Sequence, residues 1–83
     1  MTKQDNEYLK KNIRENLIAL RQRRGFTQSD IAKMTGKSEN AVGSWEQGLS
    51  LPDLSTLYRL SKIYLVTMEY FYENENRKGS EGE

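Results

Sequence analysis

Glu39, Asn40, Gly43, Ser44 and Gln47 fall on one side of any helix drawn through their segment. With Glu39 at zero and about 100° per residue, Gly43 lies near ~40°, Gln47 near ~80°, Asn40 near ~100° and Ser44 near ~140°. The chemistry this row offers is hydrogen bonding to the flat edges of bases. A carboxamide such as that of Asn40 matches N6 and N7 of adenine with two bonds, and a carboxylate such as that of Glu39 accepts from the N4 amino group of cytosine. Glu39 has a competing reading, because a carboxylate in a first helical turn is favoured by the macrodipole and repelled by phosphate. Gly43 costs up to about 1 kcal/mol relative to alanine in mid-helix; close approach to a groove accounts for it, and so does a tolerated surface glycine. Lys37 and Gln47 can reach phosphates or bases, and Ser38 can combine capping with a phosphate contact. Ala41, Val42 and Trp45 fall on the opposite side and are expected to pack.

Positioning that row requires short helices with firm ends. Ser38 caps the helix carrying it, which runs to about Gln47 and stops at Gly48. Upstream, Thr27 and Asp30 form a capping-box pattern that opens a short helix ending near Thr35, with Gly36 supplying a left-handed turn. Leu9, Ile13, Leu17 and Leu20 recur at helical spacing, so a first helix is expected over about residues 6 to 24, with a basic outer surface that includes Lys10, Arg14, Arg23 and Arg24. One or two of those cations are expected to touch a polyanion, the rest to be solvated. Beyond the loop from Gly48 to Pro52, Asp53 starts a fourth helix with Leu54, Leu57, Leu60 and Tyr64 on one face. Thr67 caps a last short helix carrying Met68, Phe71 and Tyr72. No stretch alternates apolar and polar residues long enough for a strand.

Composition narrows the classes. The chain has 83 residues, no cysteine and no histidine. That leaves room for one modest core, removes thiolate chemistry and the usual zinc or haem ligands, and suits a reducing cytoplasm. No apolar run approaches the roughly 20 residues a membrane span needs. No cofactor, metal or small-molecule substrate is implied, and scattered carboxylates without a glycine-rich phosphate loop speak against an enzyme. The net charge of +1 conceals a gradient: residues 1–24 carry 7 basic and 3 acidic groups (+4), residues 25–51 carry 2 and 3 (−1), and residues 52–83 carry 4 and 6 (−2). Such a balance suits a few placed phosphate contacts better than a general nucleic-acid coat.

Leu20-Arg21, Gly25-Phe26-Thr27-Gln28, Asp30-Ile31-Ala32, Gly36, Ser38, Val42, Trp45-Glu46-Gln47-Gly48, Pro52, Leu57 and Val66 together resemble the lambda-repressor-like, Cro/CI-type (XRE-type) helix-turn-helix family. The resemblance covers about residues 13 to 72. It implies an all-α, compact five-helix DNA-binding domain, usually from a dimeric phage- or bacterial-type repressor that reads the major groove of double-stranded DNA with its third helix. It also implies that Gln28 clamps a backbone phosphate, aided by the free N–H groups of its helix N-terminus. Arg21 and Glu46 stand where the family pairs an arginine with a glutamate, a structural salt bridge that fixes the reading helix against the first helix.

Two departures from the family pattern shape the expectations. Leu65 stands where glycine or asparagine usually ends the fourth helix, and with Met68, Tyr70 and Tyr72 it marks a candidate dimer interface. The loop from Leu49 to Leu51 lacks the cations that often hold phosphates there, leaving backbone amides and Ser50. Weak half-site affinity then calls for a homodimer on a palindromic operator, its two reading helices about 34–36 Å apart. The expected organisation is residues 1–8 as N-terminal arm and start of helix one, 9–73 as the helix-turn-helix domain and 74–83 as a disordered tail, either a complete Cro-like protein or the N-terminal part of a longer regulator. An alternative assignment is a helical protein-interaction module such as an antitoxin, with a protein partner and weak DNA reading.

Overall fold

Four of the five helices begin at a capping side chain. The computed structural model describes residues 3–73. Its helices are α1 (Lys3–Arg23), α2 (Gln28–Thr35), α3 (Glu39–Gln47), α4 (Leu54–Tyr64) and α5 (Met68–Tyr72), and the described residues contain no strand. The Thr27 hydroxyl accepts from Asp30 N at 3.0 Å while Asp30 Oδ2 accepts from Thr27 N at 2.9 Å, closing a reciprocal capping box. Ser38 Oγ accepts from Ala41 N at 3.0 Å, Asp53 Oδ1 from Thr56 N at 2.9 Å, and Thr67 Oγ1 from Tyr70 N at 3.2 Å. Gly36 ends α2 at φ 72° and Gly48 ends α3 at φ 81°, conformations in which a Cβ is strained.

One boundary and one face depart from expectation. α1 begins at Lys3 instead of near residue 6 and stops at Arg23. No glycine or proline interrupts this polar segment, and Glu7 and Lys10, 3.8 Å apart at i,i+3, add support on its exposed side. Leu54 is 71% exposed, whereas Leu57, Leu60 and Tyr64 are buried. At 100° per residue Leu54 stands roughly 60–120° away from those three, enough to leave the core. The residues expected as a disordered tail, 74–83, lie outside the described residues.

The core joins Ile13, Leu17 and Leu20 of α1 to Ile31 and Ala32, Val42 and Trp45, Leu57, Leu60, Tyr64 and Phe71. α1 packs on both α3 and α5, and α2 packs on α3 and α4. Two asparagines one turn apart bind the chain's far end to α1. Buried Asn12 donates through Nδ2 to Tyr72 O at 2.8 Å, and Asn16 donates to Tyr70 O at 3.0 Å and Phe71 O at 3.1 Å. Carbonyls ending a helix have no intrahelical partner, so these bonds satisfy α5's C-terminus and hold Phe71 fully buried. Arg24 does the same for α4, donating to Ile63 O at 2.8 Å with its guanidinium over the Phe26 ring. This arginine, expected on the solvated basic surface, is thereby a structural tie.

Candidate nucleic-acid interface

The reading candidate α3 is held from behind by a three-residue network. Arg21 approaches Glu46 with two parallel bonds, Nε to Oε2 at 2.7 Å and Nη2 to Oε1 at 3.0 Å, and its remaining Nη1 donates to Phe26 O at 2.9 Å. The two side chains are 17% and 9% exposed, so the pair is largely withdrawn from water. Hydrogen bonding to Glu46 raises the Arg21 pKa above its ordinary value. Gln28 completes the network, its Nε2 donating to Glu46 Oε1 at 3.0 Å. Tyr64 lies close enough that burial, reinforced by the Glu46 charge, pushes its phenol up to about 12. A planar arginine fork and a glutamine on one carboxylate fix where α3 can sit relative to α1 and α2.

This arrangement separates the residues on α3's polar side. Glu39, Asn40 and Gln47 are exposed, and among the described residues no hydrogen bond or ion pair engages their side chains. Gly43 is buried instead of facing outward: a Cβ there would stand 3.5 Å from Gln28 Oε1 and 4.0 Å from Gln47 Nε2. The Gln28 carboxamide lies over it, a position that a helical wheel of α3 alone does not contain. Ser44 is half-buried and its hydroxyl meets that of Ser50 at 2.7 Å, so a residue expected to read bases and one expected to hold phosphate are brought together.

The expected phosphate contacts are placed less uniformly. Gln28 stands at the start of α2 but is half-buried, with one amide hydrogen committed to Glu46. Ser38 is exposed and caps α3. Lys37 is exposed and faces Asp53, Nζ to Oδ2 at 3.7 Å. Asp53 is held down to about 2, chiefly by its hydrogen bonds to Thr56 and secondarily by Lys37. Asp30 is lowered as well, through its bonds to Thr27. Residues 28–53 carry Lys33 and Lys37 against Asp30, Glu39, Glu46 and Asp53, or 2 − 4 = −2, so this unit has no surplus of positive charge.

Around the other expected surface, Leu65 is 83% exposed, while Met68, Tyr70 and Tyr72 are partly buried and packed on the core. Leu65 sits at φ 59°, ψ 44° as the C-cap of α4, and is the one non-glycine residue among those described with positive φ. Beside it runs a groove of about 550 Å³ that Val66 and Tyr70 help to line. Leu54 and Tyr58 add exposed apolar surface on α4, which the sequence reading missed. Their spacing of four was its available signal. No group of acidic side chains among the described residues could hold a metal ion, and no helix among them is long and apolar enough to cross a membrane.

Comparison with known proteins agrees with this geometry. A family model described as Helix-turn-helix matches residues 17–71. The chain is 34% identical over 62 residues to the HTH-type transcriptional regulator PuuR of Escherichia coli (strain K12), covering 74% of this chain and 34% of PuuR. It is 31% identical over 61 residues to the HTH-type transcriptional activator BcrR of Enterococcus faecalis, covering 74% of this chain and 30% of BcrR. With the HTH-type transcriptional regulator ImmR of Bacillus subtilis (strain 168) it shares 30% identity over 59 residues, covering 71% of this chain and 46% of ImmR. The match thus spans between about a third and a half of these relatives' lengths. No solved structure matches the chain at a significant level.

Proposed function

The chain belongs to the helix-turn-helix family of transcriptional regulators, and from that premise we propose that it binds a specific double-stranded DNA site by laying α3 in the major groove. One observation carries this reading. Glu39, Asn40 and Gln47 form an exposed polar row without hydrogen-bond or ion-pair partners among the described residues, on a helix whose opposite face is buried and whose angle is set by Arg21, Glu46 and Gln28. Rigid support behind unsatisfied donors and acceptors is what base reading requires.

In this proposal Asn40 takes an adenine edge, Gln47 a neighbouring base or phosphate, and Glu39 a cytosine amino group. Ser44 and Ser50 present their shared hydroxyl pair, and Gly43 keeps the reading face low beneath Gln28. Gln28, Ser38 and Lys37 meet the backbone, Lys37 by exchanging Asp53 for a phosphate. The chain acts as a homodimeric repressor in the cytoplasm, on a palindromic operator and without covalent chemistry. Its two copies meet around Leu65 and the groove shared with Tyr70, with Met68 and Tyr72 behind it. The exposure of Leu65 supports that surface.

Selection of bound sequences from a random duplex pool tests the reading. Recovery of a palindrome with half-sites near one helical turn apart is expected, and Asn40→Ala should then lose about 1–3 kcal/mol at one base position while other positions keep their preferences. An unenriched pool would overturn the reading in favour of a protein-interaction module.

A further inference from the structure

The reading unit of residues 28–53 is net acidic at 2 − 4 = −2, yet a duplex presents one negative charge per roughly 1.7 Å of its axis. Of the cations of that unit and its supports, Arg21 is committed to Glu46 and Arg24 to the Ile63 carbonyl, while the exposed Lys33 and Lys37 are outnumbered by the unit's four acids. The loop after α3 contributes no positive side chain. Most of the attraction to the backbone must therefore come from elsewhere on the molecule. A cationic cluster lies near the middle of α1, where Lys10, Lys11 and Arg14 line, with Glu7, Gln47 and Gly48, a cavity of about 370 Å³.

Three features fit that cavity to a phosphodiester. Gln47 belongs both to it and to the exposed row of α3, so a strand held against the end of α3 passes its mouth. Arg14 lies across the turn that ends α3: a Cβ on Gly48 would stand 3.2 Å from Arg14 Cδ and 3.4 Å from Nε. Glycine at that position therefore serves both the turn at φ 81° and the passage of the arginine, whose guanidinium has no hydrogen-bond or ion-pair partner among the described residues. Among the described residues Glu7, the acid in the cavity, reaches only Lys10, at 3.8 Å, in a pair whose side chains are 53% and 64% exposed. An ion pair so exposed is worth little and exchanges readily for phosphate.

We infer that Lys10, Lys11 and Arg14 form a backbone-phosphate clamp, replacing the cations missing from the loop after α3. It rests on the proposed DNA reading and adds the part of the surface that supplies its electrostatic affinity. The clamp contacts phosphodiesters only, so it weakens or strengthens all sequences alike.

The test is titration of the selected duplex over a range of salt concentrations, with the full chain and three variants. Lys10→Gln/Lys11→Gln/Arg14→Gln should keep the selected sequence preference and flatten the slope of log affinity against log salt by roughly 0.9 per lost contact, about 2–3 in all. The double variant Lys10→Gln/Lys11→Gln alters exposed side chains alone and should flatten it by about 1–2, which keeps the test decisive if the triple variant folds poorly. Arg59→Gln/Lys62→Gln removes the same two charges from α4's outer surface and should leave the slope unchanged. A slope unmoved in the α1 variants, or moved equally by the α4 variant, overturns the clamp while specific binding by the parent chain leaves the DNA reading standing. Failure of the parent chain to bind any selected duplex overturns both.

Discussion

Replacing Arg21 by methionine leaves the Glu46 carboxylate, 9% exposed, with Gln28 Nε2 as its remaining side-chain hydrogen-bond donor. The arginine supplies two of that carboxylate's bonds and a third to Phe26 O. Removing one partner of a buried pair costs roughly 3–5 kcal/mol, and because Arg21 itself is 17% exposed the lower end, about 3 kcal/mol, applies here. In a domain of this size each kcal/mol shifts the melting temperature by about 4–8 °C, so Arg21→Met should melt roughly 12–24 °C lower. Thermal unfolding followed by circular dichroism measures this directly. The double variant Arg21→Met/Glu46→Met removes both charges and should recover most of the loss, giving a coupling of at least about 2 kcal/mol in a double-mutant cycle. Glu46→Gln keeps shape and hydrogen-bonding capacity and should fall between. A shift below about 4 °C for Arg21→Met, or simple additivity in the cycle, would refute the view that a desolvated ion pair sets the angle of α3.

Leu65 combines a left-handed backbone with 83% exposure, so its side chain contributes little packing to the monomer while its backbone is strained. Leu65→Gly should raise stability in urea unfolding by about 0.5–1 kcal/mol; a loss would show that the leucine packs within the monomer. If the proposed dimer uses this side chain, the same variant should sediment further toward monomer. Asp53 provides a pH dependence. Its carboxyl is lowered from 3.8 to about 2 in the folded chain, so its contribution is complete above pH 3.8 and is lost as pH falls from there toward 2. Melting curves between pH 5 and pH 2 should therefore show a steeper acid loss for the parent than for Asp53→Asn, which keeps a capping side chain but no charge; parallel curves would remove Asp53 from the acid transition.

The helix ends were legible because their determinants are local. Thr27 with Asp30, Ser38, Asp53, Thr67, Gly36 and Gly48 all act within about four residues, a range over which the backbone alone fixes the geometry. The same locality explains why Val42, Trp45, Leu57 and Leu60 could be assigned to the core from spacing, and why the polar row of α3 was visible. Arg21 and Glu46, 25 residues apart, were paired through family resemblance, since no helical period connects them.

Everything that depends on how helices cross was settled by tertiary packing. Asn12 and Asn16 look like ordinary polar residues of a first helix, and become structural because α5 brings its open carbonyls to them across more than fifty residues. Leu54 leaves the core because α4 turns only its far side inward. Gly43 is covered because α2 sets Gln28 above it, and Gln28 itself is drawn to Glu46. The sequence by itself therefore determined five helices, the capped ends of α2 to α5 and the side of α3 that carries polar side chains. Tertiary structure decided which of those side chains remain unpartnered, because hydrogen bonds between helices depend on distances that no spacing within one helix contains.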